Sequence, residues 1–531
     1  MSDIPHLIHL AIDGICWLVA EEDRERLLAA ARSGWSGQVQ RIAPQRRVVQ
    51  IEGKAGPLLL KHFRTRGMAA SLKVLLRGSL ASQEWTALRK VRRLGLPVPK
   101  PVALGERKGL FHREGLLVTE ALEDALPLGE YLFGDRRVRG QRRWQVVRGA
   151  ARLLRRMHDA GVSHRDLHLG NILVRPAAST AELFLIDLQR VDMGASVSQK
   201  VRWRDLATLH GGCLEASRTD RLRFLKTYLA GPPPLLIDLK PLVAHLERRG
   251  IRHRFRVWRG RRQRCIAENQ EFCPVRVGGL TGFARRASWN ESLQHLFEGP
   301  HGIFSRPGVY LLKDSRTTTA GLVPSPPGVL FVKRYNYQGW GYALKDLFRA
   351  SRARRVWIAA NSLRMRGIPT PIPCAYLKRR RFRVLLESYL ITEEVEGIGL
   401  VEFARRPCEP GASVLERRRL ARQIAILVRR LHERGISHRD LKGQNIFLRG
   451  EGAGRYRPFL VDLDGVWLGR VSWRRRVRDL ARLARAFPDQ SAVTRTDRAR
   501  FLKAYLGPRG GASWRRLWHS IAMIEARAHR V

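Results

Sequence analysis

Apolar and polar positions alternate along two separate stretches of the chain, and each alternation leads to a lysine. The first stretch is LLLKHF, which contains Lys61, and the second is VLFVKRY, which contains Lys333. A period of two residues is typical of a β-strand with one buried face. The pattern therefore predicts two strands that each carry a lysine.

A helical period follows each predicted strand. The two predicted helices repeat apolar residues at spacings typical of one helix face. Their apolar positions are Ala81, Trp85, Leu88 and Leu94 in the first and Ala353, Trp357, Ala360 and Leu363 in the second. Each helix is predicted to stop at a glycine, Gly95 or Gly367, because prolines follow shortly afterwards.

These elements belong to an internal repeat that covers most of the chain. SQEWTALRKVRRLGLPVPKP (82–101) matches RRVWIAANSLRMRGIPTPIP (354–373), and RTDRLRFLKTYL (218–229) matches RTDRARFLKAYL (495–506). Matched positions stay 272 to 277 residues apart along the whole repeat. A nearly constant offset of this kind indicates that one domain was duplicated.

The order of elements predicts an α+β fold with two tandem domains. In each copy a β-rich region precedes a longer helix that ends in RMHDAG or RLHERG, and a helical remainder follows. Each domain should therefore have a small β-rich lobe and a larger helical lobe. We predict an N-terminal extension at 1–39, a first domain at 40–231, a basic linker at 232–261 and a second domain at 262–531.

A short polar motif recurs after the longer helix of each copy. It is GVSHRDLHLGNIL at 161–173 and GISHRDLKGQNIF at 435–447, and an apolar run then leads to Asp187 or Asp462. Taken singly, a loop Asn is usually a turn former and an Asp after a strand is often a strand end. The complete pattern, found twice in matched context, indicates an active site.

The chemistry that fits this pattern is phosphoryl transfer. An Asp beside an acceptor hydroxyl can orient it and take its proton, and the candidates are Asp166 and Asp440. A loop Asn and a second carboxylate can hold Mg²⁺, which prefers oxygen ligands. The candidate metal pairs are Asn171 with Asp187 and Asn445 with Asp462. Lys61 and Lys333 would contact the phosphates of the nucleotide.

The two copies differ at positions that matter for this chemistry. Glu84 lies in the helix after Lys61 and is placed to form an ion pair with it, but the second copy has Val356 there. Conversely, Lys442 follows Asp440 by two residues, where a γ-phosphate contact is expected, and the first copy has His168. Neither copy has a convincing glycine-rich phosphate loop, so the cover of the nucleotide must be built differently.

Charge limits the class of partner. The chain has 99 Lys and Arg against 47 Asp and Glu, for a formal net charge of +52. Such a charge attracts polyanions, anionic membrane surfaces or phosphorylated substrates. The basic segment IRHRFRVWRGRRQRC between the copies fits either a solvated face or a docking surface for an anionic substrate or lipid headgroups. Nucleic-acid binding has no recognition motif to support it.

Other features place the protein in a reducing compartment without a membrane span. The six cysteines form no CxxC pair or metal-ligand spacing, so we expect them to be ordinary core residues. The apolar N-terminal stretch IPHLIHLAIDGICWLVA carries His6, His9 and Asp13, which favours an amphipathic or buried segment. We expect a cytoplasmic protein that is soluble or held peripherally at the inner membrane.

These motifs resemble the lipopolysaccharide kinase family, the Kdo and heptose kinases of the lipopolysaccharide inner core. The first copy is similar through GLPVPKPVALGE, HRDLHLGNIL and LFLIDLQRVD. The second is similar through FVKRYNYQGWGYALKD, SRARRVW, GIPTP, HRDLKGQNIF and the strand end Asp462-Leu-Asp464-Gly465. The resemblance implies a protein-kinase-like fold, ATP with Mg²⁺ as donor, and a hydroxyl of a Kdo or heptose residue on a lipid A-linked core as acceptor.

Two alternatives remain open on the residues. The same motifs occur in kinases that act on proteins, small molecules or other glycolipids, so the acceptor is less well defined than the reaction. One copy could also be a pseudokinase that scaffolds or regulates the other. Loss of the glutamate at Val356 favours that interpretation, whereas retention of Asp440, Asn445, Asp462 and Lys442 opposes it.

Overall fold

The chain folds into two compact units, and the boundary falls between Val257 and Trp258. The computed structural model describes residues 6–43, 46–53, 56–66, 78–107, 112–134, 137–177, 180–336, 350–381, 384–406, 412–452, 455–487, 493–507 and 513–528. Most of FVKRYNYQGWGYALKD, from residue 337 onwards, lies outside these ranges, as does Cys408. The predicted α+β class with two tandem domains is confirmed.

The first unit is built on a seven-stranded antiparallel sheet and two small sheets. Its strands are β1 (Leu7–Ile12), β2 (Ile15–Ala20), β3 (Gln38–Ala43), β4 (Arg46–Ile51), β5 (Leu58–Arg66), β6 (Pro101–Arg107), β7 (His112–Glu120), β8 (Leu126–Pro127), β9 (Val162–His164), β10 (Ile172–Arg175), β11 (Glu182–Leu185) and β12 (Val191–Met193). The large sheet has the order β1-β2-β6-β7-β5-β4-β3. The small sheets are β11-β10-β8 and β12-β9.

Most helices of the first unit follow the small lobe. They are α1 (Arg24–Arg32), α2 (Leu80–Arg93), α3 (Leu128–Phe133), α4 (Gly140–Asp159), α5 (Gln199–Gly212), α6 (Arg218–Leu229) and α7 (Leu239–Arg261), whose last four residues belong to the second unit. Helix α2 begins at Ser79, whose hydroxyl accepts a hydrogen bond from Ser82 N. Three of its four predicted apolar positions are buried, but Leu94 follows the last helical residue and is 48% exposed. Its assignment to the apolar face was wrong, because the helix ends one residue earlier.

The ends of the first unit differ from the predicted boundaries. Residues 7–20 form the β1–β2 hairpin, and β2 pairs with β6 inside the large sheet. Residues 239–261 of the predicted linker form helix α7. Repeat matching missed both elements because the sequence identity between the copies does not extend into them.

The second unit repeats the same architecture. Its strands are β13 (Phe272–Val277), β14 (Leu280–Arg285), β15 (Tyr310–Ser315), β16 (Thr318–Ser325), β17 (Gly328–Tyr335), β18 (Pro373–Arg381), β19 (Val384–Glu393), β20 (Ile398–Gly399), β21 (Ile436–His438), β22 (Ile446–Gly450), β23 (Tyr456–Leu460) and β24 (Val466–Leu468). The large sheet runs β13-β14-β18-β19-β17-β16-β15, and the small sheets are β20-β22-β23 and β21-β24. The same strand order confirms the duplication.

The helices of the second unit also match those of the first. They are α8 (Glu291–Glu298), α9 (Arg352–Met365), α10 (Leu400–Arg405), α11 (Ala412–Glu433), α12 (Trp473–Ala484), α13 (Arg495–Leu506) and α14 (Ser513–Ala528). The four predicted apolar positions of α9 are at most 2% exposed, so that prediction is confirmed. In the described part of the chain, every helix is too short or too polar to cross a membrane.

A tight turn connects the long helix α4 to the strand that carries the polar motif. Gly161 has a φ of 76°, and a Cβ there would lie 1.9 Å from Gly194 O. Only glycine tolerates both the left-handed backbone and this approach. Gly435 has the same left-handed conformation in the second unit, with a φ of 72°. The turns at Gly161 and Gly435, which follow the two long helices, therefore fix where both motif loops begin.

The cysteines divide by burial. Cys265 and Cys374 are buried core residues, but Cys16 is exposed on β2, which contradicts the expectation of ordinary core residues at that position. On β2 the side chains alternate between the two faces of the sheet, and Trp17 takes the buried face. The five described cysteines are free thiols.

Candidate active site

The two motif loops contain the same internal hydrogen bond between an asparagine and an aspartate. Asn171 Nδ2 donates to Asp166 O at 2.9 Å, and Asn445 Nδ2 donates to Asp440 O at 2.9 Å. This bond orients each asparagine amide against the backbone of the predicted base. The Asp166 side chain itself is exposed, so it is accessible to a substrate.

A buried aspartate on a following helix accepts a backbone hydrogen bond from each loop. Asp205 on α5 accepts from His164 N at 2.9 Å, and Asp479 on α12 accepts from His438 N at 3.1 Å. Each aspartate also lies near a buried histidine, which in turn contacts a tyrosine hydroxyl at 2.7 Å. We call these the buried triads: His158, Asp205 and Tyr228 in the first unit, and His432, Asp479 and Tyr505 in the second.

None of the triad residues was among the predicted site residues. Their signal was present, since the matched segments VRWRDLATL and RRVRDLARL contain Asp205 and Asp479. A carboxylate that accepts a backbone N–H can hold a loop in one conformation. These residues therefore explain why the loops have the same shape in both units.

The motif histidines are structural. His164 and His438 are fully buried, and Nε2 of each lies 3.3 Å from a backbone carbonyl, that of Ile186 or Val461. Burial lowers the pKa of both rings, against the raising effect of these carbonyl contacts. Both rings are thus neutral at neutral pH, which agrees with a scaffold function.

Asp187 and Asp462 each lie two residues beyond a short strand. Both adopt the left-handed conformation, with φ values of 58° and 49°. This conformation is uncommon for residues other than glycine and is often found where side-chain placement matters. The predicted strand-end aspartates are therefore placed by a bend after β11 and β23, with the same geometry in each unit.

In the first unit a lysine, an arginine and two carboxylates form one cluster. Lys61 Nζ donates to Glu84 Oε1 at 2.6 Å and to Asp187 Oδ1 at 3.0 Å. Arg46 Nη2, at the start of β4, donates to the same Asp187 oxygen at 2.8 Å. Burial would raise the pKa of Asp187, but the charge of Lys61 and the bonds from Arg46 and Lys61 hold it well below its usual range.

The second unit builds this cluster from different positions. Lys333 Nζ donates to Asp462 Oδ1 at 2.7 Å and to Asp464 Oδ2 at 2.6 Å. Tyr335 donates its hydroxyl to Asp464 Oδ1 at 2.9 Å, and Arg352 lies 3.8 Å from Asp464. Burial would lower the pKa of Lys333, but Asp464 and Asp462 raise it above its usual value.

Asp464 therefore occupies the place in the network that Glu84 holds in the first unit. Val356, which replaces Glu84 in sequence, is buried in the core of the second unit. Asp464 corresponds to Gln189, two residues after the strand-end aspartate of the first copy. Alignment of the two copies does not reveal that Asp464 replaces Glu84, because Glu84 lies on helix α2 and Asp464 follows strand β23.

The strand register explains why Arg46 has no counterpart. Arg46 pairs with Phe63 across β4 and β5, and Thr318 pairs with Tyr335 across β16 and β17. A threonine at this register cannot reach the strand-end aspartate as an arginine does. In agreement with this, the Asp462 side chain is 44% exposed and that of Asp187 is 21% exposed.

The last predicted residue, Lys442, lies beside Asp440, the predicted base of its loop. Lys442 Nζ is 3.0 Å from Asp440 Oδ1, and both side chains are about half exposed. In the first unit, His168 Nδ1 instead accepts a hydrogen bond from Gly170 N at 3.0 Å, within the loop. The two predicted bases, Asp166 and Asp440, thus have different immediate neighbours.

The donor set fits a magnesium ion that is shared with a nucleotide. Within the described ranges, no group of three or more His, Cys, Asp or Glu side chains is arranged to hold a metal alone. One asparagine and one aspartate per unit supply hard oxygen ligands, and Mg²⁺ commonly completes its shell with phosphate oxygens and water. Asn171 with Asp187, and Asn445 with Asp462, meet this requirement.

Comparison with known proteins places the chain in a family. The family model described as "Lipopolysaccharide kinase (Kdo/WaaP) family" matches residues 47–228 and 314–505. The chain is 32% identical over 252 residues to the lipopolysaccharide core heptose(I) kinase WaaP of Pseudomonas aeruginosa, covering 44% of this chain and 94% of that protein. It is 32% identical over 211 residues to the 3-deoxy-D-manno-octulosonic acid kinase of Xanthomonas campestris pv. campestris, covering 36% and 79%.

A solved structure is also similar, "WaaP in complex with acyl carrier protein". It is 28% identical, with a TM-score of 0.35, and the match covers 45% of this chain and 98% of that one. The family matches span both repeats and include every predicted site residue. The chain therefore belongs to the lipopolysaccharide kinase (Kdo/WaaP) family and is an ATP-using phosphotransferase with an alcohol group as acceptor.

Proposed function

We propose that both units phosphorylate hydroxyls of Kdo or heptose residues in the lipopolysaccharide inner core. The observation that carries this proposal is the presence of two complete constellations, each with a lysine, an Asp–Asn loop and a strand-end aspartate. Two relatives are named for kinases of heptose and of 3-deoxy-D-manno-octulosonic acid. Two sites in one chain fit a core that offers more than one hydroxyl.

In this proposal each base acts on the acceptor. Asp166 and Asp440 accept a hydrogen bond from the acceptor hydroxyl, orient it in line with the γ-phosphoryl group and take its proton. Lys442 neutralises charge on the transferred group in the second unit. In the first unit His168 takes that position in the loop, although its ring already accepts the bond from Gly170 N.

The lysine clusters hold the nucleotide. Lys61 and Lys333 contact the α- and β-phosphates, while Glu84 and Asp464 keep the two ammonium groups in place. Asn171 with Asp187, and Asn445 with Asp462, would hold Mg²⁺. The bound metal would neutralise charge at the phosphates.

Asp464 argues against a pseudokinase interpretation of the second unit. That interpretation depended on the missing glutamate at Val356, which would leave Lys333 without a carboxylate on the small-lobe helix. Lys333 instead has two carboxylate partners within 2.7 Å. The second unit thus keeps the ion pair that a kinase lysine needs, with the acid supplied by another element.

The test is transfer of label from radiolabelled ATP to intact or deacylated core lipopolysaccharide. We expect the wild-type chain to label core sugars at two positions. Asp166→Asn and Asp440→Asn should each remove one product, with a loss of about 10³-fold or more, and the double variant should remove both. Label on protein and none on core sugar would contradict the proposed acceptor. A single variant that keeps both products would mark its unit as inactive.

The net positive charge of the chain supports attachment to an anionic membrane surface. We propose peripheral attachment at the cytoplasmic face of the inner membrane, where Lys and Arg each contribute roughly 1 kcal/mol near anionic lipid. Trp144 is 47% exposed with Arg223 4.6 Å above its ring, a pairing suited to the headgroup region. Sedimentation with anionic but not neutral vesicles would support this attachment, and equal sedimentation would contradict it.

A further inference from the structure

Strand β17 places an aromatic ring beside the lysine of the second site. Tyr335 follows Lys333 by two residues, so both side chains lie on the same face of the sheet. The Tyr335 side chain is 4% exposed within a hydrophobic core of the unit, and Lys333 Nζ lies 5.4 Å from the ring centroid. The ring is therefore a fixed part of the lysine cluster.

The Tyr335 hydroxyl holds one oxygen of the acid that replaces Glu84. It donates to Asp464 Oδ1 at 2.9 Å, while Lys333 donates to the other oxygen, Oδ2, at 2.6 Å. Because the two donors bind different oxygens, they fix both the position and the rotation of the carboxylate. Burial and the charge of Asp464 raise the pKa of Tyr335 well above its usual value, so the hydroxyl keeps its proton and remains a donor.

The ring of Tyr335 also contacts the second cation of the cluster. Arg352 Cζ lies 4.8 Å from the ring centroid, and Arg352 Nη2 lies 3.8 Å from Asp464 Oδ2. A guanidinium group over an aromatic face is attracted by the charge distribution of the ring. Tyr335 therefore contacts the lysine, the arginine and the exchanged acid of this cluster.

The first unit keeps the ring and its cation without the hydroxyl. Phe63 follows Lys61 by two residues and is 4% exposed, and Arg46 Cζ lies 5.3 Å from its ring centroid. A second cation thus rests on an aromatic ring in both units, although it comes from a strand in the first and from a helix in the second. The hydroxyl is the part that the second unit adds.

The added hydroxyl accompanies the change of acid. Where the second unit has Tyr335 and Asp464, the first has Phe63 and Gln189. The acid of the first unit, Glu84, is fully buried in the middle of helix α2, so the packing of that helix fixes it. Asp464 instead lies in a short 3₁₀-helical turn after β23 and is 23% exposed. A hydrogen bond from another element is therefore needed to fix its side chain.

We propose that Tyr335 is a positioning residue of the second site: its hydroxyl fixes Asp464, and Asp464 in turn places the Lys333 ammonium group for the nucleotide phosphates. This inference rests on the proposed kinase function of that site. Without the hydroxyl the carboxylate can rotate away from the lysine, and a displaced lysine binds the phosphates less well in the ground state and in the transition state.

The test uses the full chain with Asp166→Asn, so that only the second site is active. Tyr335→Phe is compared with Tyr389→Phe, which removes an equally buried hydroxyl that also donates to a carboxylate, Glu387 Oε2, at 2.6 Å. Tyr389 lies on the neighbouring strand β19 and pairs with Arg334, so its side chain is on the opposite face of the sheet from the lysine cluster. It is therefore a matched control for the loss of a hydroxyl.

For Tyr335→Phe we expect kcat/KM for ATP to fall about tenfold, with a lower kcat and a higher KM for ATP, and the KM for deacylated core to stay within about twofold. Tyr389→Phe should leave all of these values within about twofold. Equal effects of the two variants would overturn the inference. So would a lower kcat with an unchanged KM for ATP, because a partial loss of folded protein has that effect.

A double-mutant cycle shows whether the hydroxyl acts through Asp464. Adding Tyr335→Phe to Asp464→Ala should change kcat/KM for ATP by less than about twofold, because the acceptor of the hydroxyl is already absent. A further tenfold loss would mean that Tyr335 acts independently of Asp464 and would overturn the inference.

Nucleotide binding separates this inference from the proposed function. If the Asp166→Asn chain transfers no label to core sugar, the proposed function of the second site fails by itself. Calorimetric titration of ADP into a full chain with Lys61→Ala, which disables the first nucleotide site, then decides the inference. Weaker ADP binding by Tyr335→Phe than by Tyr389→Phe supports it, and equal binding overturns it.

Discussion

The two lysine clusters contain the same charges in different positions. The first combines Lys61 and Arg46 with two carboxylates, one on helix α2 and one after β11. The second combines Lys333 and Arg352 with two carboxylates that both follow β23. Each cluster thus has two cations and two anions. Only the lysine and the strand-end aspartate occupy matching positions in the two units.

This difference shows that the charge balance around the lysine is retained while its sources change. A buried lysine without a carboxylate is costly, because desolvation of an unpaired charge is poorly compensated. The second unit has Val356 where the first has Glu84, and Asp464 supplies the carboxylate that Lys333 requires. A missing motif residue is therefore weak evidence of lost activity until the neighbouring elements are considered.

Among changes to the two lysine clusters, the largest effect is expected from removing the Asp464 carboxylate. In a chain with Asp166→Asn, where only the second site is active, Asp464→Asn should lower kcat about 100-fold, because a small displacement of a positioning group has effects of that size. Label transfer to core sugar measures it. The matched control is Gln189→Asn in a chain with Asp440→Asn, which should change kcat less than about twofold. Retained activity in Asp464→Asn would show that Asp462 alone positions Lys333.

A second change should restore part of that activity. Val356→Glu in the Asp464→Asn variant returns a carboxylate to the helix position that Glu84 occupies in the first unit, so we expect kcat to recover about tenfold. Val356→Gln has a similar shape without charge and should not restore it. Equal recovery with glutamine would mean that volume, and not charge, limits the variant.

The sequence predicted the shared parts of the two sites and the Glu84 ion pair with Lys61, but it did not predict Asp464 or Arg46. The lysine strands, the motif loops and the strand-end aspartates depend on local patterns, which repeat at a constant offset. Asp464 and Arg46 act across the fold, on residues 131 and 141 positions away. Their partners depend on strand register and on the bend after a strand, which local patterns do not specify.

The fold outside the repeat was the least predictable part. The β1–β2 hairpin joins the first sheet, and α7 was predicted to be a linker. The many basic residues of 239–261 concealed its helical period. Packing of Leu242 and Leu246 on the lobe stabilises this helix despite that composition.

A moderate effect is expected at Arg46, which distinguishes the environment of Asp187, the proposed metal ligand of the first unit, from that of Asp462. Arg46→Gln removes a positive charge 2.8 Å from Asp187. Metal-free ADP should then bind the first site about threefold more weakly, and the Mg²⁺ concentration for half-maximal activity should fall by a similar factor. Calorimetry and a Mg²⁺ titration with Asp440→Asn measure both. Arg47→Gln, at the exposed neighbouring position, is the control. This electrostatic explanation would be contradicted if the affinities for ADP and for Mg²⁺ both rose or both fell.

The smallest effect concerns the buried triads, where the two units agree. Burial lowers the pKa of His158 and of His432, against the raising effect of their aspartates. In the unfolded chain a histidine takes up its proton near pH 6.5, whereas the folded rings do so only at lower pH. Below about pH 6.5 the unfolded state therefore binds more protons, and stability falls as the pH falls.

Between pH 7.5 and 5.5 each buried histidine should lower the free energy of unfolding by at most about 1.4 kcal/mol. Denaturant unfolding at the two pH values measures this for the wild type, His158→Gln and His432→Gln. Because the triads have matching contacts, with 2.7 Å to the tyrosine hydroxyl in each, both variants should reduce the acid sensitivity equally. A reduction in only one of them would mean that the units differ in their supports as well as in their lysine clusters.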